Sequence, residues 1–190
     1  MHKNAIIFDF FGVIAAEVRS AVIRAYAHGE SAIQEIHQAF DTADTGYTSC
    51  ADLYERCAVA TGKRASDIKQ FIHDAAIIDR EMIALIRALH TKYKIALCSN
   101  APLGLVESLM AQYHFSDCFD EICISSALHV LKPDPRIFQI VLDRLGSVAG
   151  DVLFIDDNPL NTAAAERLGI TSIVHVSRAE TQARLSSVLL

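Results

Sequence analysis

The sequence predicts an α/β protein: a doubly wound parallel sheet with a small α-helical unit inserted after the first strand. Three observations carry that expectation. Apolar runs of strand length alternate with helix-patterned segments along most of the chain, as in a parallel sheet covered by helices on both faces. The strongest runs are apolar at every position rather than every second one, which suits strands buried on both sides. The stretch 15–76 is Ala-rich and helix-patterned, with no strand run, and so reads as an insertion.

The first run is Ala5-Ile6-Ile7-Phe8, and it stops at Asp9. Gly12 follows closely; lacking a Cβ, it permits positive φ or a close backbone approach, so the chain can wind tightly there and leave Asp9 at the sheet's rim. Within 15–76 the turn signals are His28-Gly29, Thr45-Gly46 and Thr61-Gly62. From Asp79 a helix with apolar Met82, Ile83, Leu85, Ile86 and Leu89 leads to a second strand, Lys94 to Cys98, which ends at Ser99-Asn100. A helix over Pro102 to Tyr113 and a third strand over Phe119 to Ile124 follow. After Lys132-Pro133-Asp134-Pro135 a helix runs to Leu145, and a fourth strand, Val152 to Ile155, ends in Asp156-Asp157-Asn158. A helix from Pro159 to Leu168, a strand over Ser172 to His175 and a closing amphipathic helix complete the chain.

Composition narrows the function classes. With 190 residues, 52% hydrophobic and 21% charged, the chain can bury one sizeable core. Its apolar runs are far too short for a membrane span, and the first residues enter strand sequence without a signal-peptide pattern, so a cytoplasmic location is expected. A formal charge of −6 without a dense Lys/Arg cluster argues against nucleic-acid and membrane partners. Cys50, Cys57, Cys98, Cys118 and Cys123 form an odd set with no CxxC pair, which reads as free and mostly buried thiols.

The polar residues that end the strands decide where chemistry is expected. Parallel strands point the same way, so Asp9, Ser99-Asn100 and Asp156-Asp157 meet at one sheet edge, where open α/β sheets bind ligands. Lys132, ahead of two prolines that stiffen its loop, adds a cation. Carboxylates this close repel one another unless a cation joins them, and Mg²⁺, which favours one or two carboxylates with waters and a phosphate, suits the set. Each residue also has a plainer reading: Ser99 as a helix cap, Lys132 as a solvated lysine, the acidic pair as helix-start charges, and Asn158 as a cap or a group orienting Asp157.

The motifs FDFFGVI, LCSNA, LKPDPRIF and FIDDNPLN, in this order and spacing, resemble the four motifs of the haloacid dehalogenase-like (HAD) hydrolase superfamily, mostly phosphatases. The insertion resembles that superfamily's small cap. The resemblance implies a Rossmann-like core over 1–14 and 77–190 with a helical cap over 15–76. It implies Asp9 as the nucleophile, Ser99 and Asn100 as holders of the transferred phosphate, and Lys132 as the group that neutralises both. It implies Asp157 as a direct Mg²⁺ ligand with Asp156 in the first or second shell, and a small phosphorylated molecule as substrate.

One position departs from that pattern. The superfamily's phosphatases carry a second Asp two residues after the nucleophile, to protonate the leaving group; here Phe11 stands there, able to offer Mg²⁺ its backbone carbonyl but no acid. General acid–base help is typically worth about 10²–10⁴-fold, so esters with poor leaving groups suffer most. Three readings follow. The first is an Mg²⁺-dependent phosphatase working through an aspartyl-phosphate on Asp9. The second is a domain that keeps the fold and binds a ligand or protein with little turnover. The third is a metal-independent 2-haloacid dehalogenase, which Phe11 fits and the acidic pair does not; Arg19 or Arg24 would then have to cradle halide. Tyr26, His28, Tyr47 and Arg56 read as ordinary helix and loop surface.

Overall fold

The central strand of the sheet is β1 (Ala5–Phe8), and all four of its residues are buried. The computed structural model describes residues 3–189. Four further strands, β2 (Lys94–Ser99), β3 (Glu121–Ile124), β4 (Val152–Asp156) and β5 (Thr171–Val174), join it in the order β3-β2-β1-β4-β5, every pair parallel. Phe8 lies level with Leu97 on one side and Ile155 on the other, so three strands end in register beside Asp9. The chain first winds outward through β2 and β3, then returns to place β4 and β5 on the other side of β1. That reversal is the point at which open α/β sheets form a ligand crevice.

Between β1 and β2 lie α1 (Val18–Tyr26), α2 (Glu30–Asp44), α3 (Cys50–Thr61), α4 (Ala65–Ala75) and α5 (Arg80–His90). The remainder carries α6 (Leu105–Tyr113), α7 (Ser125–Leu128), α8 (Pro135–Leu145), α9 (Pro159–Arg167) and α10 (Arg178–Val188). The expected turns at Gly29, Gly46 and Gly62 are the breaks separating α1 to α4. The chain leaves and re-enters the sheet's neighbourhood through adjacent segments, with Ala16 N–H donating to the Ile77 carbonyl at 3.0 Å and Asp79 N–H to that of Ile14 at 2.9 Å.

Alternate residues of β1 face opposite sides. Ile6 and Phe8 belong to an apolar cluster that continues through Val18, Val22, Ile36 and Leu53 of the helices after β1, whereas Ala5 and Ile7 pack with α8 and α9 residues such as Phe138 and Ala165. This two-sided burial explains why the strand reads as an unbroken apolar run.

The third strand begins at Glu121 rather than Phe119, because a 3₁₀ turn, Ser116–Cys118, takes up the preceding residues. The helix expected from Pro102 begins at Leu105, and the last strand is displaced by one residue to Thr171–Val174. Four cysteines are buried and Cys50 partly so, all as free thiols. No described helix is long and apolar enough to cross a membrane.

Candidate active site

Asp9 begins the turn that follows β1. Its N–H still donates to the Ile155 carbonyl at 2.9 Å, holding it to the sheet, while the Phe10 N–H donates to its Oδ1 at 2.6 Å. The Gly12, Val13, Ile14 and Ala15 amides are then satisfied inside the turn. Gly12 adopts φ +88°, and the Asp157 carboxylate lies against it so closely that a β-carbon there would overlap it. Both properties expected of this glycine, positive φ and close approach, are therefore used.

Lys132 is buried and reaches two carboxylates: its Nζ lies 2.8 Å from Asp9 Oδ1 and 2.6 Å from Asp156 Oδ2. Its backbone is clamped by Asn100, whose amide donates to the Lys132 carbonyl at 2.8 Å and accepts from the Lys132 N–H at 2.8 Å. The loop then turns into α8, with Asp134 accepting from the Arg136 N–H and Pro135 in the first turn, where a missing N–H costs nothing.

Asp156, the last residue of β4, is fully buried and its oxygens are well occupied. Besides Lys132 they accept from the Asn158 N–H at 2.8 Å and from the Asn161 amide at 3.0 and 3.1 Å. Asp157 is exposed toward the cleft. Asn158 caps α9 by accepting from the Leu160 N–H, the capping alternative of its sequence reading. One carboxylate oxygen from each of Asp9, Asp156 and Asp157 falls within 4.8 Å of the others.

A cavity of about 790 Å³ opens over this edge. Asp9, Phe11, Asn100, Lys132 and Asp157 line it from the sheet side, and Glu17, Arg19, Phe40, Asp41 and Asp44 from the helices after β1. Ser99 stands outside that lining: it is fully buried, and its hydroxyl has no hydrogen-bond partner among the described residues. Asn161 and the α1–α2 carboxylates escape sequence reasoning. Asn161 had a signal, since it sits one helical turn into the helix that the acidic pair begins; the carboxylates had none. Arg24 is exposed and apart from the cavity, whereas Arg56 pairs with Glu35 at 2.8 Å within the inserted helices.

Electrostatics leave this edge short of positive charge. Burial pushes Asp9 up, against the pull of Lys132 and with a further push from Asp156. Burial works against the Lys132 ammonium too, but the two carboxylates outweigh it and raise its pKa. Burial and Asp156 also raise Asp157. A hard divalent cation with oxygen ligands suits three carboxylates so placed, with Asp157 turned to the cleft and Asp9 at its floor.

The chain shares extended similarity with known proteins. A D-ribitol-5-phosphate phosphatase of Bacteroides thetaiotaomicron is 25% identical over all of this chain and 99% of its own length. A phosphoglycolate phosphatase of Rhodospirillum rubrum is 29% identical over 48% of this chain, and that stretch is 39% of the relative. (S)-2-haloacid dehalogenases match over a similar share, so the chain spans well under half the length of several relatives. Among solved structures, a HAD family enzyme of B. thetaiotaomicron in complex with magnesium and inorganic phosphate superposes with a TM-score of 0.73 at 19% identity, covering 94% of this chain and 98% of that one. The sequence profile of the haloacid dehalogenase-like hydrolases matches residues 3–169. Together with a parallel sheet whose strand ends converge on Asp9, Lys132 and the Asp156-Asp157 pair, that match makes the chain a member of the haloacid dehalogenase-like hydrolase family.

Proposed function

We propose that the chain is an Mg²⁺-dependent phosphomonoesterase that works through an aspartyl-phosphate on Asp9. The observation that carries the reading is the placement of Asp9 at a cavity floor, 2.8 Å from a buried lysine and within 4.8 Å of two further carboxylates. Asp9 and Asp157 would hold Mg²⁺, with the Phe11 carbonyl and Asp156 beside them, and the ion would supply positive charge to the phosphate oxygens. Asp9 attacks phosphorus, the bond to the leaving oxygen breaks, and water then releases inorganic phosphate from the aspartyl group. Lys132 neutralises Asp9 and the phosphoryl group together; Asn100 holds Lys132 by its backbone and keeps a second amide hydrogen for a phosphate oxygen. Asp156, itself held by the Asn161 amide, fixes the Lys132 ammonium. Residues 15–76 act as a cap over the core 1–14 and 77–190, which the shared cavity lining supports. The Bacteroides relative named as a sugar-alcohol phosphate phosphatase and the magnesium–phosphate complex of the structural neighbour support the same reading.

Phe11 lines the cavity where the family's acid would stand, so turnover favours acyl and aryl phosphates, whose leaving groups need no proton. The same residue favours a second reading, a ligand-binding domain with little turnover. The metal-independent dehalogenase fits less well, because the acidic triad would have no role and Arg19 is already engaged by Asp41 and Asp44. The test is phosphate release from monoesters and acyl phosphates, with Mg²⁺ and with chelator, by the native protein and Asp9→Asn. Release that needs both Mg²⁺ and Asp9 establishes the phosphatase. Phosphate binding without release would favour the binding domain, and halide release from a 2-haloacid without metal would favour the dehalogenase.

A further inference from the structure

Within the phosphatase reading, we infer that the cavity takes phosphomonoesters whose alcohol part is neutral or cationic and rejects those whose alcohol part carries a carboxylate. The phosphoryl end is drawn to Lys132 on the sheet side, so the alcohol part must point toward α1 and α2. That wall presents three carboxylates, Glu17, Asp41 and Asp44, and one guanidinium, Arg19.

Arg19 is already paired with two carboxylates. One terminal nitrogen meets Asp41 Oδ1 at 2.8 Å, the other meets Asp44 Oδ2 at 2.9 Å, and the guanidinium sits 5.3 Å from the centre of the Phe40 ring. Two carboxylates already offset its single charge, so a substrate carboxylate gains little attraction there. Glu17 spends its oxygens on the Arg19 and Ser20 amides, accepting at 3.1 and 2.7 Å, so it too is held at the wall. Asp41 has 65% of its side chain exposed and stands at the mouth. The carboxylate oxygens of this wall are acceptors, which suits hydroxyl or ammonium donors, and with three carboxylates against one guanidinium the uncompensated charge is negative.

Three probes of matched length isolate the charge: 2-hydroxyethyl phosphate, 2-aminoethyl phosphate and phosphoglycolate. With Mg²⁺, kcat/KM of the native protein and affinity for the Asp9→Asn protein by calorimetry are both read. Phosphoglycolate is expected at least about tenfold below 2-hydroxyethyl phosphate in both, the effect of one partly screened like-charge contact, with 2-aminoethyl phosphate equal to the neutral ester or above it. Salt narrows the gap, because the mouth is open to solvent. The double variant Glu17→Gln, Asp41→Asn raises the phosphoglycolate to 2-hydroxyethyl phosphate ratio at least about fivefold. Phosphoglycolate binding as well as the neutral ester would overturn the inference and leave the phosphatase intact, as would a ratio the double variant does not move. No turnover of any probe, all three being alkyl esters that Phe11 disfavours, would leave the phosphatase reading to be judged on acyl and aryl phosphates while the affinity order still judged the charge argument, and failure of all three to bind would overturn the inference.

Discussion

Gly12→Ala separates the fold from the proposed metal site. An alanine at φ +88° costs about 1–2 kcal/mol, because its β-carbon crowds the following carbonyl. The β-carbon would also stand 2.9 Å from Asp157 Oδ1 and closer still to Oδ2. Asp157 is exposed, so its side chain can swing into the cleft instead of straining the sheet. The fold should therefore lose little more than the backbone term, about 2–8 °C in Tm for a chain of this size. One oxygen of the acidic triad, however, leaves its place, and Mg²⁺ affinity should fall about 10–100-fold, the range seen when a metal ligand loses its support. Thermal unfolding and an Mg²⁺ titration of phosphate release measure the two effects. Unchanged Mg²⁺ dependence would show that Asp157 does not need the space beside Gly12 to serve the ion, and a fall in stability of more than about 4 kcal/mol would show that the carboxylate cannot move aside.

Lys132→Met leaves Asp9 and Asp156 buried beside each other without their cation, and should cost about 3–5 kcal/mol in urea unfolding as well as abolishing release; a loss under 1 kcal/mol would mean the pair is solvated or protonated in the native protein. Phe11→Asp should raise kcat/KM on alkyl phosphates relative to acyl phosphates, by up to about 10²–10⁴-fold, and an unchanged ratio would show that the missing acid is not what limits poor leaving groups. Burial, opposed by Arg19, pushes Asp44 up to about 7 from 3.8. Its raised folded pKa means that its contribution to stability is complete below about pH 4 and is lost as pH rises through about 7, a change on the order of a few kcal/mol. Asp44→Asn should flatten unfolding free energy across that window, and an identical pH slope in both proteins would refute the assignment.

The strand-terminal positions were legible because a parallel sheet gathers every carboxyl end at one edge, so Asp9, Ser99-Asn100 and the Asp156-Asp157 pair could be named from sequence, with Lys132 added from its loop ahead of two prolines. Their division of labour was not. Asp156 turned out to be occupied by Lys132, the Asn158 amide and Asn161, and Asn100 by the Lys132 backbone. Ser99 is buried outside the cavity lining, because the last residue of a central strand points to one face or the other according to strand phase, which a polar letter in the sequence does not reveal.

By itself the sequence determined the sheet, the helices between its first two strands and the acidic edge, because each rests on local apolar period, on turn residues or on a side chain's own chemistry, whereas the meaning of Phe11 came only from the resemblance of its motif to the family's phosphatases. Only the tertiary structure decided what faces that edge. Glu17, Arg19, Asp41 and Asp44 sit on solvated-looking helix positions with no motif among them, and their charge matters only because α1 and α2 fold back over Asp9 to close one cavity.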